Sequence, residues 1–274
     1  MPELPEVETT CRGIAPHVSG QRIERVILRD TRLRWPVSPE VAGLAGTRIA
    51  GVSRRAKYLL MALGHGKLEQ GNLIWHLGMS GSMRVAPTGS PAASHEHVEF
   101  ELSNSQSLKF RDPRRFGALL YCDGDPLQHR LLQPLGPEPL ADEFNADYLY
   151  RRCRGRSAAI KTFIMNSHIV VGVGNIYASE ALYLAGIRPT RAAGRISKAR
   201  IARLVEAIRA TLTAAIAQGG TTLQDFTQVD GKPGYFRQAL QVYANKGDCQ
   251  ACGTAIRHLV QGQRSSYYCP ACQI

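Results

Sequence analysis

The sequence predicts an α+β protein: a β domain, then a helical domain, then a small metal-bound hairpin. Three observations carry that class. Residues 22–121 read as short β-type runs with no helical pattern between them, helical periodicity takes over in the second half, and two Cys-x2-Cys pairs close the chain. The 274 residues suffice for one large domain or two ordinary ones, each with its own core.

The opening PELPEVETTCRGIAPHVSG reads as a helix: Val7, Cys11 and Ile14 recur at helical spacing, Pro2 stands at the start and Gly20 stops it. The runs RIERVIL, YLLMAL, NLIWHL, HVEFEL and the stretch from SLKF to ALLY follow, separated by Gly, Pro and Ser clusters. Val98, Phe100 and Leu102 alternate with Glu99, Glu101 and Ser103, the pattern of a strand with one buried face. Such strands without intervening helices predict a sandwich or a barrel-like domain. Four prolines between Cys122 and Asp142 mark a connection between domains. Beyond it, Ile201, Leu204, Val205, Ile208, Leu212 and Ile216 form an apolar stripe on a helix over 197–218, capped by Ser197 and ended by Gly219-Gly220. A shorter helix covers about 176–185. The expected division is 1–130, 131–240 and 241–274.

Charge narrows the partner. Lys+Arg 34 against Asp+Glu 22 gives +12, which points to a polyanion, nucleic acid first. Between Tyr148 and Val205, Glu180 is the only acid among eleven basic residues, a segregation that favours a phosphate-facing surface over a solvated helix face. No run of apolar residues is long enough for a membrane span, and the acidic opening is unlike a secretory signal. Seven cysteines, an odd number, suit a reducing cytoplasm better than a disulfide framework. Cys11, Cys122 and Cys153 read as packing residues.

Cys249-x2-Cys252-x16-Cys269-x2-Cys272 has the spacing of a four-cysteine zinc ribbon, with Gly253 giving the first knuckle its backbone freedom. Four thiolates leave no open position, so the zinc is expected to be structural. Arg257, His258, Gln263 and Arg264 lie on the span between the pairs and make the hairpin a DNA-facing finger. His95 and His97 flank Glu96, a pattern too sparse to read as a second metal site.

Composition alone reads PELPEVE as a capped helix. Its chemistry allows more: with Met1 removed, Pro2 carries a secondary amine, and α-amino groups titrate near neutrality, at about 7.7–8.0, against about 10.4 for lysine. Such an amine attacking a sugar C1′ gives an iminium that promotes elimination. Glu3 and Glu6 would share a helix face beside it, and coupled carboxylates can leave one protonated as a general acid.

PELPEVET, RRAKYLL at 54–60, HLGMSG at 76–81, DPRRFG at 112–117, GVGNIYASE at 172–180, DGKPGYF at 230–236 and the terminal ribbon together resemble the bacterial formamidopyrimidine-DNA glycosylase family, in its order and over essentially the whole chain. The resemblance implies an N-terminal β-sandwich and a helix–two-turns–helix domain. It implies Pro2 as nucleophile, Glu3 as acid/base partner with Glu6 in support, Lys57 assisting β-elimination and Arg264 in δ-elimination. It further implies DNA contacts at His95, Arg114, Arg156, Lys161 and Asn175. Met79, Arg114 and Phe116 would fill the gap left by a flipped nucleotide, and Lys232, Gly234 and Tyr235 would belong to a lid over the extruded base. On the residues alone, Met79 and Phe116 also suit core packing and Lys57 the outer side of a strand. Arg156 stands where the family often has lysine, and GHGKLEQGN at 64–72 looks longer than the family's turn. The Gly172-x-Gly174 is no dinucleotide fingerprint, because Tyr177 occupies the third glycine position.

The expected activity is a bifunctional glycosylase and AP lyase on oxidised purines in double-stranded DNA. Expected with it are one structural zinc, no organic cofactor, no membrane association and a monomeric state. The rivals are the sister endonuclease VIII type, on oxidised pyrimidines, and a catalytically silent zinc-ribbon DNA binder.

Overall fold

The computed structural model describes residues 2–65, 68–221 and 240–274. The chain divides into two compact units: Met1–Gln133 with a returning stretch from Gln218, and Pro134–Ala217 with the C-terminal stretch to Ile274.

The first unit runs α1 (Leu4–Val18), β1 (Ile23–Leu28), β2 (Arg48–Arg55), β3 (Tyr58–His65), β4 (Leu68–His76), β5 (Ser82–Pro87), β6 (Glu96–Leu102), β7 (Gln106–Arg111) and β8 (Ala118–Cys122). The strands form two antiparallel four-stranded sheets, ordered β2-β3-β4-β8 and β1-β6-β7-β5. Their inner faces meet in one core, where Trp75 of β4 packs edge-on against Phe100 of β6 and Phe110 of β7 at 5.8 and 5.3 Å. The domain is therefore a sandwich. The helix lies against β2 and β5, an edge strand of each sheet, and adds Val7, Cys11, Ile14 and Val18 to the core.

Several elements differ from the sequence reading. Pro5, not Pro2, occupies the first helical turn, and Pro2 stands ahead of the Glu3 cap. The edge strands β2 and β5 escape the apolar pattern because RIAGVSRR and SMRVAP bury few positions and β2 carries a bulge at Ile49/Gly51. The stretch from SLKF to ALLY is two strands in different sheets, because the chain crosses from β7 to β8 at Asp112–Gly117. On β6, Val98, Phe100 and Leu102 do face the core, yet Glu99 on the opposite face is also buried.

The second unit contains α2 (Ala146–Cys153), α3 (Ile160–Ile164), α4 (Asn175–Leu184), α5 (Lys198–Ala217) and the hairpin β9 (Arg257–Gln261) with β10 (Arg264–Tyr268). The Asn145 side chain caps α2 by accepting the Tyr148 N–H at 2.9 Å. Helix α5 buries Ile201, Leu204, Val205, Ile208 and Leu212, while Ala215 rather than Ile216 completes the stripe. The ribbon is bonded onto the end of α4: Gln273 Nε2 donates to the Ile187 carbonyl at 2.9 Å, and Arg200 donates to the carbonyls of Gly186 and Ile274. Among the described residues no helix is long and apolar enough to cross a membrane.

Candidate active site and nucleic-acid interface

Glu3 and Glu6 hold the N-terminus of α1 by a reciprocal capping box, each carboxylate accepting the other residue's backbone N–H. The Glu3 N–H reaches Glu6 Oε2 at 2.8 Å, and Glu6 Oε1 accepts the Thr221 N–H at 2.8 Å. Both acids are 2% exposed, so these bonds are what offset the loss of water. One carboxylate thus ties the start of α1 to the chain at Thr221. Gly220, at φ +82°, leaves room for it: a Cβ there would sit 3.0 Å from Glu6 Oε1. Pro2 is buried directly ahead of the cap.

Lys57 lies in the tight turn joining β2 to β3, after Ala56 at φ 55°. Its charge reaches His76. Loss of water first, then the fields of Lys57 and Arg34, push the imidazole down to a pKa of about 4. His76 is therefore neutral at pH 7, with Nδ1 accepting the Gly78 N–H at 2.9 Å. Because the unfolded chain takes up this proton more readily, stability is expected to fall as pH drops from about 6.5 toward 4. Thermal melts over that window check it: His76→Gln should flatten part of the slope, and an unchanged slope would contradict the assignment.

Asp112 fixes the turn between β7 and β8. Its Oδ1 accepts the Ser80 hydroxyl and its Oδ2 the Gly117 N–H, both at 2.7 Å. Ser80 Oγ in turn accepts the Arg114 N–H at 3.2 Å. Gly78, at φ +65°, packs so closely on Phe116 and Gly117 that a Cβ would run into their backbone. The HLGMSG and DPRRFG segments are thereby locked together, with Met79 36% and Phe116 44% exposed. That exposure removes the core-packing reading of both. The Arg114 guanidinium lies over the Phe116 ring at 5.0 Å, while Arg115 turns away to Asp30 at 3.1 Å. His95 is exposed at φ 66°, its carbonyl accepting the Asp112 N–H at 3.0 Å.

In the second unit, Asn175 opens α4 behind Gly174. Lys161 departs from the expected phosphate contact. The residue is 1% exposed, and its ammonium donates to Asn175 Oδ1 at 2.7 Å, the Ser265 carbonyl at 2.9 Å and Ser266 Oγ at 2.8 Å. It holds the Asn175 side chain and the strand that begins at Arg264. Arg264 is exposed after the Gly262-Gln263 turn, whose two positive φ angles suit a two-residue hairpin. Arg156 is exposed in the turn after α2, with its carbonyl accepting the Gly194 N–H at 2.9 Å. Glu180 is not on the basic surface: it is buried and accepts the N–H groups of Gln241, Val242 and Tyr243, and burial raises its pKa.

The four ribbon sulfurs lie within 4.8 Å of one another, with Cys249–Cys272 at 3.8 Å and Cys252–Cys269 at 3.5 Å. Tetrahedral zinc with Zn–S near 2.3 Å requires sulfurs about 3.8 Å apart. The donor set fits one structural zinc. It is also the only such metal-ligating group among the described residues; His97 Nε2 instead bonds the Asp112 carbonyl at 2.8 Å.

Residues 1–119 match the formamidopyrimidine-DNA glycosylase N-terminal domain, 135–227 the formamidopyrimidine-DNA glycosylase H2TH domain, and 249–274 the zinc finger found in FPG and IleRS. The formamidopyrimidine-DNA glycosylases of Stutzerimonas stutzeri and Thioalkalivibrio sulfidiphilus are 58% and 57% identical to this chain, with both sequences covered completely. The chain belongs to the formamidopyrimidine-DNA glycosylase family. Among solved structures, a Lactococcus lactis FPG variant in complex with Fapy-dG containing DNA is similar at a TM-score of 0.91 and 30% identity, covering 99% of both chains. The MutM (FPG) protein of Thermus thermophilus is similar at 0.88 and 37%, covering 99% of this chain and 98% of that one. Of the residues the family resemblance singled out, Lys232, Gly234 and Tyr235 lie outside the described residues. Asp112, Ser80 and His76 were not singled out, although each sits inside a quoted motif; only their contacts reveal what they do.

Proposed function

We propose that this DNA glycosylase removes oxidised purines, 8-oxoguanine opposite cytosine and formamidopyrimidines, from duplex DNA and then cleaves the strand by β,δ-elimination. The reading is carried by the Pro2-Glu3 pair standing ahead of α1 with the neighbouring carboxylates tied down. The Pro2 amine, freed by removal of Met1, attacks C1′ as the C1′–N9 bond breaks and the base leaves with a proton. Glu3 moves protons at the opening sugar, and Glu6 holds Glu3 in place. The resulting iminium acidifies C2′. Loss of that proton, assisted by Lys57, expels the 3′-phosphate, and a second elimination involving Arg264 expels the 5′-phosphate.

Base extrusion costs a few kcal/mol. Met79 and Phe116 would offset it by occupying the vacated stack, and Arg114 would hydrogen-bond the orphaned cytosine. His95, Arg156 and Asn175 would contact phosphates, Asn175 through the outward amides of a helix start. Lys232, Gly234 and Tyr235 are assigned to the lid over the base. We take the enzyme to work as a monomer in the cytoplasm. Duplexes carrying 8-oxoguanine or an oxidised pyrimidine test the substrate: the purine is expected to yield a one-nucleotide gap with phosphates on both sides. Cleavage confined to the pyrimidine would favour the endonuclease VIII type, and binding without nicking a silent binder.

A further inference from the structure

On the outer face of the β1-β6-β7-β5 sheet, where the sequence pattern expects solvent, three charged side chains are buried. Glu96 and Glu99 are 2% exposed and Lys109 is 0% exposed. Lys109 Nζ lies 3.4 Å from Glu99 and 3.9 Å from Glu96, and the outer oxygens are closed by Arg29 on Glu99 and Arg84 on Glu96. Removing such charges from water costs several kcal/mol per ion, and the pairing rarely does more than offset it, so stability alone gives little reason for the arrangement.

Two of these charges, Lys109 and Glu96, are bonded by the segment 88–95, Thr-Gly-Ser-Pro-Ala-Ala-Ser-His, which has no helix or strand and is mostly exposed. Its residues bury almost no apolar surface, so packing does not hold it. Polar anchors do. Lys109 Nζ donates to the Ser90 carbonyl at 2.7 Å, the Ala93 N–H to Glu96 Oε2 at 2.9 Å, and Arg111 Nε to the Ser94 carbonyl at 3.0 Å. The last residue of the segment is His95, exposed at φ 66°, with its ring 6.4 Å from that of His97 and its carbonyl on the Asp112 N–H. A left-handed backbone at a non-glycine residue persists only where the surroundings over-determine it.

We propose that Lys109, with the buried Glu96 and Glu99 it joins, is a positioning residue for His95: the network fixes segment 88–95 and so aims His95 at the DNA backbone. The proposal rests on the reading of His95 as a DNA contact. Directional bonds to enclosed charges give the segment one geometry, which apolar packing of alanines and serines would not.

The test is a double-mutant cycle in affinity for a duplex bearing an uncleavable abasic analogue, measured well below every variant's melting transition. Lys109→Met and His95→Gln are each expected to weaken binding about tenfold, a charge-assisted contact's worth. The double variant should bind within about twofold of His95→Gln alone, because the two act through one contact. Lys109→Arg should restore affinity. Pro91→Gly, which loosens the segment and leaves the buried charges intact, should also weaken binding, and should add nothing to His95→Gln. This keeps the test decisive even if Lys109→Met fails to fold. Full additivity with His95→Gln, or wild-type binding by Lys109→Met and Pro91→Gly, overturns the proposal. Wild-type binding by His95→Gln overturns the underlying contact assignment instead, and the proposal with it.

Discussion

Replacing Pro2 by glycine is expected to slow excision of 8-oxoguanine by on the order of a thousandfold, with affinity for lesion duplex nearly unchanged. The capping box explains why the two effects should separate. Glu3 and Glu6 are held by backbone N–H groups, including that of Thr221, and the Pro2 ring accepts none of these bonds. Its removal leaves α1 capped and the Met79, Arg114 and Phe116 surface untouched. What changes is the amine: a ring-constrained secondary amine becomes a flexible primary one, with its attack geometry lost. Single-turnover excision beside equilibrium binding checks this, and full activity would remove Pro2 from the nucleophile's role. Retained Met1 should have the same effect, since an amide nitrogen cannot attack.

Stripping the zinc is the second large effect. A two-stranded hairpin is marginal on its own, and structural zinc in small modules contributes about 10–16 kcal/mol of folding free energy. Without it β9 and β10 should unfold. The damage should travel, because Lys161 loses two of the acceptors named above, Ser265 and Ser266, and is left beside Asn175 with its charge underpaired. DNA affinity is therefore expected to fall by on the order of a hundredfold or more, while the sandwich stays folded. Binding and circular dichroism on chelated and zinc-restored protein check it. Unchanged affinity in protein shown to lack zinc would count against the site.

What could be read from the sequence follows how local the physics is. The ribbon depends on the spacing of four cysteines, and α5 on one apolar stripe, so both are visible in the string. The strands β2 and β5 are not, because edge strands bury too few residues to impose alternation. Lys161 reads as a surface cation among arginines; only long-range contacts to Ser265 and Ser266 reveal an interior role. Glu99 reads as the outward-facing charge of an alternating strand; its burial depends on Arg29 and Lys109, partners from other strands and loops that the local pattern does not show. The exposure of Met79 and Phe116 likewise depends on Asp112 binding two motifs far apart in the chain.

The central claim is that Pro2 forms a covalent imine with the sugar of an oxidised purine. Borohydride reduction on a duplex with one 8-oxoguanine opposite cytosine, followed by mass spectrometry of the adduct, tests it most directly. The protein used must lack Met1 and contain its zinc. An adduct mapped to Pro2 is the predicted result; no adduct, or one mapped to Lys57, would contradict it.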